Sequence, residues 1–194
     1  MPIKTVNLNK LIKMYPKPNL NYSLALIPLK LKDGYLSSKK ELEIMAHLCR
    51  LQNPKNIFEI GTFEGLTTLI LAMNSKKNAK IFTLDIPPKI PKSKYKINSM
   101  NYKYIKKRGK ILFEGTIYQR KIKKLYGDSA TFDYAPFRKK MDFVFIDGCY
   151  WHYCPICNKT LNINKDSIEK DKKITERLIL LGYNVIRIWE HDLV

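Results

Sequence analysis

The chain has 194 residues, 45% of them hydrophobic and 27% charged, with 36 Lys and Arg against 17 Asp and Glu for a formal charge of +19. A composition this close to the globular average excludes a disordered or collagen-like chain, and the length suits one domain or one domain with a small appendage. No apolar run approaches the roughly 20 residues that span a bilayer, and Met1-Pro2-Ile3-Lys4 leads into no signal-type stretch, so the expectation is a soluble cytoplasmic protein without a membrane partner.

Residues 1–36 mix Lys, Asn and Pro with short apolar runs and read as an irregular amino-terminal arm or lid. Ser38-Lys39-Lys40-Glu41 then fits a capping box, and Leu42, Met45, Ala46 and Cys49 recur at helical spacing until Pro54 stops the chain just beyond. Asn56 to Ile60 has the pattern of a short buried strand. It runs into the turn Gly61-Thr62-Phe63-Glu64-Gly65 and a helical run from Leu66 to Met73. A second strand, Lys80 to Asp85, ends on an acidic residue before Pro87-Pro88. Residues 89–110 are Lys-rich without a clear period and read as an exposed loop and a solvated helix. Ile122 to Tyr126 forms a third strand before Gly127-Asp128-Ser129, and Phe143 to Ile146 a fourth before Asp147-Gly148. Lys165 to Leu181 reads as a helix with Ile174, Leu178 and Leu181 on one face, and Asn184 to Trp189 as a fifth strand after Gly182. Strands alternating with helices predict an α/β, doubly wound, mostly parallel sheet of about five strands.

The positive charge suggests an anionic partner such as DNA, because clustered cations gain affinity by releasing counterions. Only six of the 36 basic residues are Arg, however, the residue preferred for bidentate phosphate and base contacts. Abundant Lys, Ile, Asn and Tyr are also what AT-rich coding yields without selection for binding. The cysteines carry more information. Cys49 stands alone, whereas Cys149, Cys154 and Cys157 crowd together, and an odd cluster of thiols favours metal over disulfides.

Glycines at the first strand-to-helix turn let the backbone approach a ligand, and Asp85 at the end of the next strand suits the hydroxyls of a ribose. A Gly-x-x-x-Gly turn serves ordinary packing of a helix on a sheet equally well. Phe58-Glu59-Ile60-Gly61-Thr62-Phe63-Glu64-Gly65, Thr83-Leu84-Asp85, Leu125 to Asp133 and Asp142 to Gly148 together resemble the successive motifs of class I S-adenosylmethionine-dependent methyltransferases, in the O-methyltransferase-like branch. The resemblance covers roughly residues 35–148 and implies a Rossmann-like region over 37–148. It implies that Glu59, Gly61 and Gly65 form the cofactor loop, that Asp85 holds the ribose and that Asp128 lies beside the adenine. Asp147 would face the methyl group or a small-molecule acceptor, whose oxygen a carboxylate can deprotonate. That Asp147-Gly148 merely ends a strand is the plainer alternative.

After Gly148 the resemblance changes. Cys149-Tyr150-Trp151-His152-Tyr153-Cys154-Pro155-Ile156-Cys157, the basic helix around Lys172 and the closing Val185 to His191 resemble the carboxyl-terminal half of very-short-patch mismatch repair endonucleases. This second resemblance covers about residues 143–194 and makes 149–194 a segment that completes the sheet. It implies a structural zinc knuckle of Cys149, Cys154, Cys157 and His191, a tetrahedral set of thiolates and one imidazole. His152 is an alternative fourth ligand. The same resemblance makes His152 a catalytic base or phosphate contact, Asp147 a neighbour of magnesium, and Tyr150 and Trp151 wedges for a base step, although packing against the zinc loop accounts for these aromatics equally well. Neither family pattern is complete, so three functions follow: methyl transfer, Mg-dependent cleavage of mismatched DNA, or an inactive fusion of the two.

Overall fold

The computed structural model describes residues 4–5, 26, 39–87, 109–129, 131–146, 165–181 and 186–187. In chain order the elements are β1 (Lys4–Thr5), α1 (Lys39–Gln52), β2 (Asn56–Ile60), α2 (Leu66–Asn74), β3 (Lys80–Asp85), β4 (Ile122–Tyr126), β5 (Phe143–Ile146), α3 (Lys165–Leu180) and β6 (Ile186–Arg187). Short 3₁₀ turns at Gln119–Lys121 and Ala135–Phe137 lead toward β4 and β5. These turns were not expected from the sequence.

Strands β2 to β5 form one parallel sheet in the order β4-β3-β2-β5. The chain therefore steps outward from β2 through β3 to β4, then returns to the other side of β2. Such a reversal opens a crevice at the carboxyl ends of the central strands. Alternation along the strands sends residues to two opposite faces. On one face Ile57 and Ile81 pack with Met45, Cys49, Leu71 and Ala72, while Leu42, Ala46, Leu66 and Ile70 seal α1 against α2. On the other, Phe58, Ile60 and Leu84 pack with Tyr134 and with Ile174 and Leu178 of α3. Helices thus cover both sides, which suits the mostly apolar centres of β2, β3 and β5, whereas β4 at the sheet edge carries Lys123 and Lys124. Cys49 belongs to this core, where burial pushes its thiol up to about 11 and Sγ lies 3.5 Å from the Leu71 carbonyl oxygen.

Side chains at the other edge of the sheet fasten its strands. Asp142, just before β5, accepts the Lys55 and Asn56 amides at 2.8 and 2.9 Å, and its own amide donates to the Asn56 carbonyl. The first acidic residue of the Asp142 to Asp147 motif is therefore a clamp on the start of β2. Lys121 donates to the Ala72 and Ser75 carbonyls at 2.7 and 3.1 Å, closing the carboxyl end of α2, where cations are favoured.

One expectation needs correction. The described part of the predicted fifth strand, Ile186–Arg187, pairs in parallel with Lys4–Thr5 and adds nothing to the four-stranded sheet. An element of two residues, such as β1, shows no alternation, so its partnership is invisible in sequence. Of the arm, the one described residue between Thr5 and Lys39, Leu26, is bound at the carboxyl end of α2. There its amide donates to Asn74 Oδ1 at 2.7 Å and its carbonyl accepts from Nδ2 at 2.8 Å. The Lys-rich stretch over 89–108 and most of the arm lie outside the described residues.

Candidate functional site

The carboxyl ends of the four parallel strands lie along one edge. The backbone ladder continues one step past each strand end there: the Gly61 amide donates to the Leu84 carbonyl at 2.9 Å, and the Gly127 amide to that of Asp85 at 3.0 Å. Gly61, Asp85 and Gly127 are thereby held side by side. Three sequence motifs separated by up to 66 positions thus meet at one rim.

The turn between β2 and α2 is tightly wound. Gly61, Phe63 and Gly65 have φ of 102°, 45° and 77°. A left-handed Phe costs roughly 1–2 kcal/mol and persists only where neighbours hold it. Asp85 is such a neighbour: Oδ2 accepts the Phe63 amide at 2.7 Å, while Oδ1 accepts the Ile86 amide at 2.7 Å. Asp85 as a residue is partly exposed at this rim. The Gly65 amide closes the turn on the Thr62 carbonyl at 2.7 Å, and Gly65 starts α2 with no side-chain cap.

Gly65 has a packing reason of its own. A Cβ there would stand 2.6 Å from the Phe113 ring, and the Leu112 amide donates to the Glu64 carbonyl at 2.8 Å. Segment 109–113 is thus folded against the turn, with the Gly109 amide on Glu64 Oε1 at 2.9 Å. The two readings of the glycine turn coexist: Gly61 lies at the rim, and Gly65 serves close packing.

Glu59 points inward from β2 and is 0% exposed. The register pairs it with Thr83 across β3, so both side chains share the face beneath α2. Its Oε2 accepts a hydrogen bond from Thr83 Oγ1 at 2.5 Å and another from Thr68 Oγ1. Its Oε1 is buried with no hydrogen-bond partner among the described residues. Burial pushes this carboxyl up to about 7, the Thr68 and Thr83 hydroxyls pull it down, and the Asp85 charge adds to the rise. Thr62 Oγ1 lies 2.6 Å from Thr83 Oγ1.

At the end of β4, the Asp128 carbonyl accepts the Thr131 and Phe132 amides at 3.0 and 2.8 Å. Tyr134 folds back, its hydroxyl donating to the Ser129 carbonyl at 2.9 Å and its ring 5.6 Å from that of Phe58 and 5.1 Å from that of Phe132. The side chain of Asp128 stays partly exposed at the rim. The sequence reading missed Thr62, Thr68, Thr83, Phe113 and Tyr134. Thr83 stands two residues before Asp85 as Glu59 stands two before Gly61, a spacing that becomes informative once the two strands are known to run level.

The candidate residues Glu59, Gly61, Gly65, Asp85 and Asp128 are thus gathered around one strand edge. Asp147, Cys149, Tyr150, Trp151, His152, Cys154, Cys157 and His191 lie outside the described residues. Among the described residues no group of three or more His, Cys, Asp or Glu could hold a metal ion, and no helix is long and apolar enough to cross a membrane.

A sequence model of the O-methyltransferase family matches residues 30–168. Solved structures similar in fold include the O-methyltransferase TomG from Streptomyces achromogenes, crystallised with S-adenosylmethionine. It is 15% identical, with a TM-score of 0.45 over 74% of this chain and 69% of its own. The O-methyltransferase from Bacillus cereus, solved with SAH, is 17% identical, with a TM-score of 0.42 over 74% and 70%. Among curated proteins, the type II nicking enzyme V.NaeI of Lentzea aerocolonigenes is 35% identical over 57 residues, 25% of this chain and 34% of the enzyme. The chain thus spans about a third of the length of that relative.

Proposed function

Since the chain belongs to the O-methyltransferase family, we propose that it binds S-adenosylmethionine at the strand edge and transfers the methyl group to an oxygen of a small molecule. The observation that carries this reading is the junction of Phe63 with Asp85, which holds the glycine turn of β2 against the acidic end of β3. The residues present fit the cofactor. Asp85, a partly exposed carboxylate at the end of β3, suits ribose hydroxyls, Gly61 offers backbone free of a side chain, and Asp128 lies at the neighbouring strand end for the adenine side. When bound, S-adenosylmethionine supplies a methyl group activated on a sulfonium.

The chain's own part is to align and to move a proton. Asp85 and the turn fix the cofactor's position, and alignment of the acceptor oxygen behind the methyl carbon supplies most of the acceleration such a transfer needs. Asp147, next after Ile146 in the chain, would take the proton of the acceptor oxygen as a general base. Calorimetry tests the reading: S-adenosylmethionine binds the intact protein, and Asp85→Ala weakens binding by about tenfold or more, the loss of charge-assisted hydrogen bonds. A folded protein that binds none refutes it.

A second reading rests on the resemblance of the carboxyl-terminal segment 149–194 to very-short-patch mismatch repair endonucleases, and the 57-residue likeness to a nicking enzyme is in keeping with it. Here Cys149, Cys154, Cys157 and His191 hold a structural zinc, with His152 as the alternative ligand or as a base in Mg-dependent DNA nicking. The donor set suits zinc, being rich in thiolates. Metal content decides this reading independently of methyl transfer.

A further inference from the structure

The acid that opens the glycine motif is the most deeply placed charge-bearing group among the described site residues, and its geometry assigns it a different task from the one its motif suggests. Glu59 is 0% exposed, as are Thr68 and Thr83, so a ligand resting on the strand edge meets none of these side chains without repacking α2. The Thr83 hydroxyl has one proton, which points to Glu59 Oε2 at 2.5 Å. The 2.6 Å contact between Thr62 and Thr83 is then donated by Thr62. Thr62 in turn carries the carbonyl on which the Gly65 amide closes, and it immediately precedes Phe63, whose amide reaches Asp85. The hydrogen bond from Thr68 ties the same carboxylate oxygen to the first turns of α2.

We propose that Glu59, Thr83 and Thr62 form a positioning relay, in which the buried carboxylate sets the shape of the glycine turn through two threonine hydroxyls and touches no ligand itself. This rests on the reading of that turn as the cofactor loop. The relay explains why an acid is kept in an apolar interior where a hydrophobic side chain would pack without desolvation. One acceptor oxygen joins β2, β3 and α2 directly and reaches the turn through Thr83, and Asp85 is presented to the rim by the Phe63 amide that the turn delivers. Glu59 and Thr83 are thus positioning residues for Asp85 and Gly61.

The test separates hydrogen-bond acceptance from charge. Glu59→Gln retains a carbonyl oxygen that accepts both hydroxyls, whereas Thr83→Val breaks the chain in the middle, and Thr62→Val breaks it at the outer end if the Thr83 variant folds poorly. Amide hydrogen exchange is followed at Phe63 and Gly65, with Phe58 and Ile81 as internal controls for the sheet, and S-adenosylmethionine affinity is measured by calorimetry alongside. The expected result is exchange about tenfold faster at Phe63 and Gly65 in either Val variant, the size of one lost hydrogen bond, with the controls unchanged. Affinity falls about tenfold in the same variants and stays within about threefold of wild type in Glu59→Gln. Unchanged exchange at Phe63 and Gly65 in a folded Thr83→Val protein overturns the relay. So does a Glu59→Gln protein with normal exchange but affinity lost more than tenfold, because the carboxylate then meets the ligand's charge directly. If the wild type binds no S-adenosylmethionine, the cofactor reading fails, and the exchange data alone still decide the relay.

Discussion

At the scale of single residues, Glu59 carries a consequence for stability as well as for binding. Its carboxyl is raised by burial from 4.5 to about 7. Below pH 4.5 it is neutral whether the chain is folded or unfolded. Between 4.5 and about 7 the folded protein keeps the proton that the unfolded chain releases, so folding takes up a proton and stability falls as the pH rises. Above about 7 the loss is complete and amounts to roughly 3 kcal/mol at most, taken from the size of the shift. Denaturant unfolding at pH 5 and pH 8 therefore shows a larger drop for the wild type than for Glu59→Gln, which has no proton to exchange there. An equal drop in both proteins places the pH dependence elsewhere. The contrast with Asp85 is instructive. Both acids were legible in the sequence as motif residues, but burial, which no spacing reveals, gives one an interior task and leaves the other partly exposed at the rim.

At the scale of elements, α2 connects the two ends of the sheet. Its amino end starts at the glycine turn, and its carboxyl end stops at Asn74, about 13 Å away at the usual rise per residue. Asn74 uses its whole hydrogen-bonding capacity there: it donates to the Ile70 and Leu26 carbonyls and accepts from the Leu26 amide and Arg50 Nε. It is 2% exposed, so removing the amide leaves buried groups without partners. Asn74→Ala is expected to destabilise the fold by about 2–3 kcal/mol in chemical denaturation, the sum of a few net hydrogen bonds. It also releases the arm at Leu26 to proteolysis. Resistance to cleavage equal to that of the wild type refutes the strap. The periodicity of α2 was plain in the sequence, as was its start after Gly65. The helix runs one residue past Met73, to Asn74, whose partner Leu26 is far away in the chain and cannot be read from the local pattern.

For the molecule as a whole, the order of motifs from Glu59 to Phe143 was enough to anticipate four parallel strands and the edge they share, because each strand is short and followed closely by Gly, Pro or Asp, even where, as in β4, its centre carries two lysines. The sheet order and the partnership of β6 with β1 were not legible, since strand pairing depends on contacts between segments far apart in the chain. Some of the +19 is engaged locally. Lys121 is partly buried on the Ala72 carbonyl, and Lys124 pairs with Glu114 at the surface. What separates a methyltransferase alone from a methyltransferase joined to a DNA-cleaving segment is thus the metal, and its measurement follows from ligand chemistry. Cysteine thiols bind zinc only as thiolates, after losing their protons, and a closed set of three thiolates and one imidazole gives binding tight enough to survive gel filtration. Elemental analysis of the purified protein is therefore expected to find about one zinc per chain, lost when Cys154 and Cys157 are both replaced by Ser. With zinc retained, His152→Ala removes any Mg-dependent nicking of a mismatched duplex, because His152 then acts as a base and not as the fourth ligand. If His152→Ala removes the zinc while His191→Ala leaves it, the two histidines exchange roles. A protein without zinc leaves the carboxyl-terminal segment no knuckle, and the likeness to a nicking enzyme then carries no function into this chain.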